Sequence, residues 1–125
     1  MIELSDEILL SVSKPSRYIG AEINSIPKDL SKVSLKFALC FPDVYEVGMS
    51  HLGLRILYGL INAQNDIACE RVFSLWPDME ALCAKFKIPL FSLESKLPLF
   101  EFDIVGFSLQ YELDYTNVLN MLHLG

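Results

Sequence analysis

The stretch FPDVYEVGMSHLG, from Phe41 to Gly53, puts two carboxylates, two glycines, a serine and a histidine where an apolar strand gives way to a helix. Each type has a chemical use. Asp43 and Glu46 can bind a metal or orient a ligand, or simply sit in water as loop acids. Gly48 and Gly53 can let a ligand approach the backbone, or serve turn and packing. Ser50 adds a hydroxyl. His51 can ligate a metal or contact a ligand, or merely start the helix. A second polar group follows a later strand: Ser108, Gln110 and Tyr111 can form the opposite wall of a crevice, while Glu112 and Asp114 can cap the next helix. Neither GxGxxG nor a P-loop occurs, so no dinucleotide or nucleoside triphosphate site is signalled.

These residues need elements to hold them. Val33 to Phe41 is β-rich and almost continuously apolar after Lys36, which suits a central strand covered on both faces. His51 to Gln64 predicts a helix, with Leu54, Leu57, Tyr58 and Ile61 at helical spacing. Glu70 to Trp76 reads as a second strand. The stretch WPDMEALCAKFKIP reads as a helix with Pro77 at its first position, Asp78 and Glu80 at its positive end, and Pro89 as its stop. Pro89 to Glu94 reads as a short third strand and Asp103 to Gln110 as a fourth. Tyr115, Val118, Leu119 and Leu122 then mark one face of a last helix.

The alternation predicts an α/β fold: an open, mostly parallel sheet with flanking helices, Rossmann-like. Right-handed crossovers order the first three strands 3-2-1. The link Ser95 to Phe102 is short, but extended it reaches roughly 25 Å. That gives the order 3-2-1-4, or else leaves the third strand as a minor edge element. In both cases the first and fourth strands are neighbours at a switch point, where open α/β sheets bind ligands. Residues 1–32 read differently, as a short helix capped by Ser5 and then an irregular arm; residues 33–125 form the α/β domain.

Bulk composition sets limits. The 125 residues suffice for one domain, and 52% are apolar. A net charge of -6, with the lysines and arginines scattered, argues against general phosphate binding and gives no nucleic-acid signal. The apolar runs fall short of the roughly 18 residues a membrane span needs. MIELSDEILL opens with acids and is not a secretory signal. Cys40, Cys69 and Cys83 are far apart and form no CxxC, as expected of reduced, buried thiols in a cytoplasmic protein.

The strings RYIGAEIN, FPDVYEVGMSHLGLRILYGL, ERVFSLWPDMEAL, PLFSLES and FDIVGFSLQYELDYTNVLNML together resemble the N-terminal part of B12-binding-domain-containing radical SAM proteins, a family of Fe–S oxidoreductases. The resemblance runs from about Arg17 onward. It implies a cobalamin-binding-like α/β domain, incomplete at its C-terminus. It also implies a radical SAM barrel beyond residue 125, with S-adenosylmethionine and a [4Fe–4S] cluster on a CxxxCxxC motif. No CxxxCxxC occurs in this sequence.

In such domains a DxHxxG loop follows the first strand, its histidine ligating cobalt and its aspartate orienting that histidine. His51 occupies the corresponding place, but Met49 stands where the aspartate would be and Leu54 where the glycine would be. Ser108 lies near the position of a serine that contacts the nucleotide tail. The resemblance thus implies a cobalamin held by Asp43, Glu46, Gly48, Ser50, His51, Gly53, Ser108, Gln110 and Tyr111. The broken motif implies an alternative: a cofactor-free module that docks on the catalytic barrel of the same chain. Neither reading gives these residues a catalytic role. Apolar surface left by an unfinished domain would also suit a homodimer. A flavodoxin- or receiver-like domain is the third reading, but a receiver needs clustered acids after the first strand, and Asp43 has only Glu46 nearby.

Overall fold

The computed structural model describes residues 1–125. Three parallel strands make one open sheet: β1 (Leu35–Phe41), β2 (Ile67–Phe73) and β3 (Ile104–Phe107), in the order β2-β1-β3. β1 pairs with β2 from Leu35↔Ile67 to Phe41↔Phe73, and with β3 from Phe37↔Ile104 to Cys40↔Phe107. The apolar run of β1 takes the centre because only there are both faces covered. The expected α/β class and the adjacency of the first and last strands both hold.

On one face lies α4 (Leu52–Asn62), whose Leu54 and Tyr58 pack on Leu39, Phe41, Cys69 and Phe73. The other face carries Ala38, Cys40 and Val72 under Leu90, Leu97, Leu99, Phe102 and Met121. Met121 belongs to α6 (Asp114–Leu124). The arm contributes α1 (Asp6–Leu10), capped by Ser5, and α2 (Ser16–Ile19). Its Val12 and Tyr18 pack with Phe91 and with Met79 and Cys83 of α5 (Pro77–Phe86). α5 starts on Pro77 as its sequence predicts and ends at Lys87 in the left-handed region, φ 55°. No helix is long and apolar enough to cross a membrane.

Three local expectations are corrected. First, the loop after β1 contains a short helix, α3 (Tyr45–Met49). Second, the face Tyr115–Leu119–Leu122 of α6 points outward, with exposures of 53–67%, while Asp114 and Met121 face inward. Third, Pro89 to Glu94 is not a strand. It lies beside β2, as the order 3-2-1 requires, but its link to β2 is one backbone bond, Leu93 N–H to Arg71 O, and its other pairing is a bridge between Phe91 and Pro98.

The physical reason is that side chains have taken the outer edge of β2. Lys28 Nζ donates to Ile67 O. The Asn62 carboxamide accepts from Cys69 N–H at 3.0 Å and donates to Cys69 O at 2.9 Å. The Glu94 carboxylate accepts the Arg71 N–H at 2.8 Å. An edge closed in this way offers a further strand few free groups. The outer edge of β3 is different: no residue from Ile104 to Phe107 bonds to anything except β1.

Candidate functional site

The loop after β1 is organised by the arm and by α3. Glu46, in α3, receives Arg17 Nε at 2.9 Å and Lys14 Nζ at 3.3 Å. Burial pushes its carboxyl up, but its backbone N–H, Arg17 and Lys14 outweigh this and hold it below the usual range. Arg17 is itself buried, with its guanidinium 4.6 Å from the centre of the Trp76 ring. Asp43 Oδ1 accepts the Val44 N–H at 2.7 Å. Ser50 Oγ donates to Glu46 O at 2.7 Å.

Gly48 is buried under two rings. A Cβ there would fall 2.2 Å from Phe73 Cε1 and 3.3 Å from Phe41 Cδ1. His51 is the N-cap of α4: its Nδ1 accepts the Leu54 N–H at 3.2 Å, and its ring lies 5.2 Å from that of Phe41. Gly53 makes room for that imidazole, since a Cβ there would meet His51 Cε1 at 2.9 Å.

On the opposite wall, the Ser108 N–H donates to Cys40 O, extending the β1–β3 pairing. Ser108 Oγ accepts from Gln110 Nε2 at 2.9 Å. The Gln110 N–H reaches Asp114 Oδ2 at 3.4 Å, and Tyr111 is half exposed. Asn117 Nδ2 donates to Pro42 O at 2.9 Å and so ties α6 to the end of β1. Asn117 thus fastens α6 to the loop after β1, at the end of the sheet where β1 and β3 run side by side. Sequence reasoning missed this asparagine, which gives no local signal.

This arrangement decides what fits. An imidazole whose Nδ1 accepts a backbone N–H carries its proton on Nε2. His51 therefore offers a donor to the outside, not the lone pair that a metal needs. Ligation would require the proton to move to Nδ1 and the helix cap to break. A histidine-ligated corrin does not fit these residues as arranged. No three His, Cys, Asp or Glu side chains converge on one point. Burial pushes the thiols of Cys40 and Cys69 up to about 12 and that of Cys83 to about 11, which keeps all three protonated.

A family model described as the N-terminal region of radical SAM proteins matches residues 53–125. The chain belongs to that family. No curated protein and no solved structure matches it. In this radical SAM N-terminal chain the matched segment holds α4, the sheet edges β2 and β3, α5 and α6.

The most concentrated polar cluster of this family member lies away from the switch point, around Arg71. Arg71 is 4% exposed. Its Nε donates to Glu94 Oε1 at 2.6 Å, and its Nη2 to Glu22 Oε2 at 3.0 Å and Ser25 Oγ at 3.1 Å. Its guanidinium lies 4.5 Å from the centre of the Tyr58 ring. Burial pushes the Glu94 carboxyl up, and Arg71 offsets this incompletely. Glu22 is also pushed up by burial, but Ser25 and Tyr45 outweigh this and hold it below the usual range. The signal for this cluster was present: Glu70 and Arg71 are adjacent charges inside an apolar strand, and buried charges require partners.

Proposed function

We propose that this chain is the N-terminal α/β module of a radical SAM protein and that it acts by docking, without a cofactor of its own, on the rest of that protein through β3 and α6. The observation that carries this is the asymmetry of the two sheet edges. β2 is closed by Lys28, Asn62 and Glu94, whereas β3 has a bare outer edge. Ile104 on that edge is exposed, and so are Tyr115, Leu119 and Leu122 of α6. A bare edge next to apolar side chains suits strand addition.

The charge of this face suggests what it meets. From Leu97 to Gly125 the exposed acids are Glu101, Asp103 and Glu112, and there is no lysine or arginine. An apolar strand flanked by basic residues complements it. A second copy brings acids against acids, so a homodimer is the less favoured occupant. In this reading S-adenosylmethionine and the iron–sulfur cluster belong to the catalytic domain.

The test is amide hydrogen exchange of this chain with and without the radical SAM catalytic domain of its parent protein. Protection of the Val105–Phe107 amides, lost in Leu119→Glu, is the expected result. No complex, or a complex that leaves β3 unprotected, would sink the reading. A homodimer through β3 in sedimentation would replace it.

One observation favours a corrinoid instead, held without a histidine–cobalt bond unless the His51 cap on Leu54 breaks: the loops after β1 and β3 leave the sheet at the switch point, where parallel sheets bind ligands. Titration with hydroxocobalamin separates the two readings. A saturable change in its visible spectrum supports the corrinoid, and its loss in His51→Ala assigns the cobalt ligand.

A further inference from the structure

At the closed edge of the sheet, α4 and the arm segment Glu22–Ile26 flank an open cleft of about 590 Å³. That size falls in the range of small-molecule sites, roughly 300–1,000 Å³. Its walls are apolar and wet. Ile23, Leu52 and Ile56 line it and are exposed at 102%, 67% and 51%. Such a concentration of exposed aliphatic side chains around a concavity marks a binding surface more than chance does.

The polar groups of the cleft divide into spent and unspent. The Tyr58 hydroxyl accepts the Ile26 N–H at 2.8 Å. Both oxygens of Glu22 are occupied, by Tyr45 on one and by Ser25 and Arg71 on the other. Arg71 has committed Nε and Nη2. Its Nη1, however, has for acceptor only the Met49 thioether, at 3.1 Å. A thioether is a weak acceptor for a buried guanidinium nitrogen. Arg55, at the rim, belongs to none of the ion pairs, which use Lys14, Arg17, Lys32 and Arg71, and its side chain donates no hydrogen bond in the chain.

The unspent donors among the lining residues are thus Arg71 Nη1, the Arg55 guanidinium and the Asn24 carboxamide, of which the two guanidiniums carry charge. We propose that this cleft is a binding site for a small amphiphilic carboxylate. Its head group displaces Met49 from Arg71 Nη1 and pairs with Arg55. Its aliphatic tail covers Ile23, Leu52 and Ile56. Charge-assisted hydrogen bonds to guanidinium favour a carboxylate head over a neutral one. Glu22 faces the same space, but its oxygens are already saturated by donors. The site lies at the β2 edge, opposite β3, so it stands or falls independently of the docking surface.

The test uses the chain as it is. Octanoate is titrated and followed by backbone amide shifts, with 1-octanol and inorganic phosphate as controls. The expected result is saturable octanoate binding that shifts the amides of Leu52–Gly59 and Glu22–Ile26. Octanol and phosphate should each bind at least about tenfold more weakly, the scale of one lost charged hydrogen bond or of a few buried methylenes. Arg55→Glu, at an exposed and unpaired position, should abolish binding while the spectrum stays folded. Ile56→Ser should weaken octanoate and leave phosphate unchanged. Failure of octanoate to saturate, equal binding of octanol, or binding indifferent to Arg55→Glu would each overturn the proposal.

Discussion

Arg71 and Glu94 meet twice: the Arg71 backbone N–H donates to Glu94 Oε2 at 2.8 Å, and its side-chain Nε to Oε1 at 2.6 Å. One carboxylate thus closes a strand edge and neutralises a buried cation. The side chains are 5% and 3% exposed. Removing one partner leaves an uncompensated buried charge. Arg71→Met should cost about 3–5 kcal/mol in denaturant unfolding. Arg71→Met with Glu94→Leu should recover part of that, because no buried charge is left unpaired, while the Arg71 N–H still loses its acceptor. A double variant as unstable as the single one would contradict this account.

Asn62 does for Cys69 what Glu94 does for Arg71, through both the N–H and the C=O of Cys69 on the same strand edge. Asn62→Ala orphans a buried donor and a buried acceptor, each costing about 1–3 kcal/mol. Amide exchange at Cys69 should accelerate well beyond the change in global stability. Equal acceleration across all of β2 would mean that Asn62 serves packing alone.

Much of this was legible in the sequence, and what was not has identifiable reasons. The apolar run of β1 and the Pro77-to-Pro89 punctuation of α5 fixed those elements locally. α3 has five residues, too few to show a period. The segment Pro89–Glu94 alternates like a strand, but its pairing depended on groups that Asn62, Glu94 and Lys28 had already taken from far along the chain. In α6 the stripe Tyr115–Leu119–Leu122 is the longer apolar one, yet Met121 faces the core, while Asn117 bonds to Pro42 just past β1 and Asp114 to Gln110 in the loop after β3. The site residues fall in the loops after β1 and β3, as their sequence positions imply. Their individual hydrogen-bond partners could not be read from types alone.

Gly48 separates packing from ligand approach. Its Cβ position is filled by the Phe73 ring, 2.2 Å away. Gly48→Ala should therefore destabilise by about 1–3 kcal/mol through overpacking. Adding Phe73→Leu should relieve some of that. If Gly48→Ala is neutral on its own, the ring moves freely and the glycine is there for another reason.

His51 is tested by what replaces it. Loss of the cap in His51→Ala should cost about 0.5–2 kcal/mol, and His51→Ser or His51→Asn should restore most of it, because an oxygen can accept the Leu54 N–H instead. Equal loss in all three variants would show that the imidazole matters through its contact with Phe41 rather than through its cap.

The arm is held to α5 by a carboxylate whose titration has a definite sign. Asp78 Oδ2 accepts both the N–H and the hydroxyl of Ser13, each at 2.9 Å, in the first turn of the helix. The Ser13 N–H, opposed by burial and aided by the Ser13 hydroxyl and the Met79 N–H, holds the Asp78 carboxyl below its ordinary value. A depressed folded-state value means that the folded chain binds this proton less readily than the unfolded one. The stabilisation is therefore complete above the unfolded value, about 3.9, and is lost as pH falls through the lower folded value. Melting temperatures of the chain and of Asp78→Asn, compared from neutral pH downward, should differ by a constant amount until about pH 4 and converge below it. A gap that stays constant into strong acid would show that the Ser13 contact does not depend on the charge of Asp78.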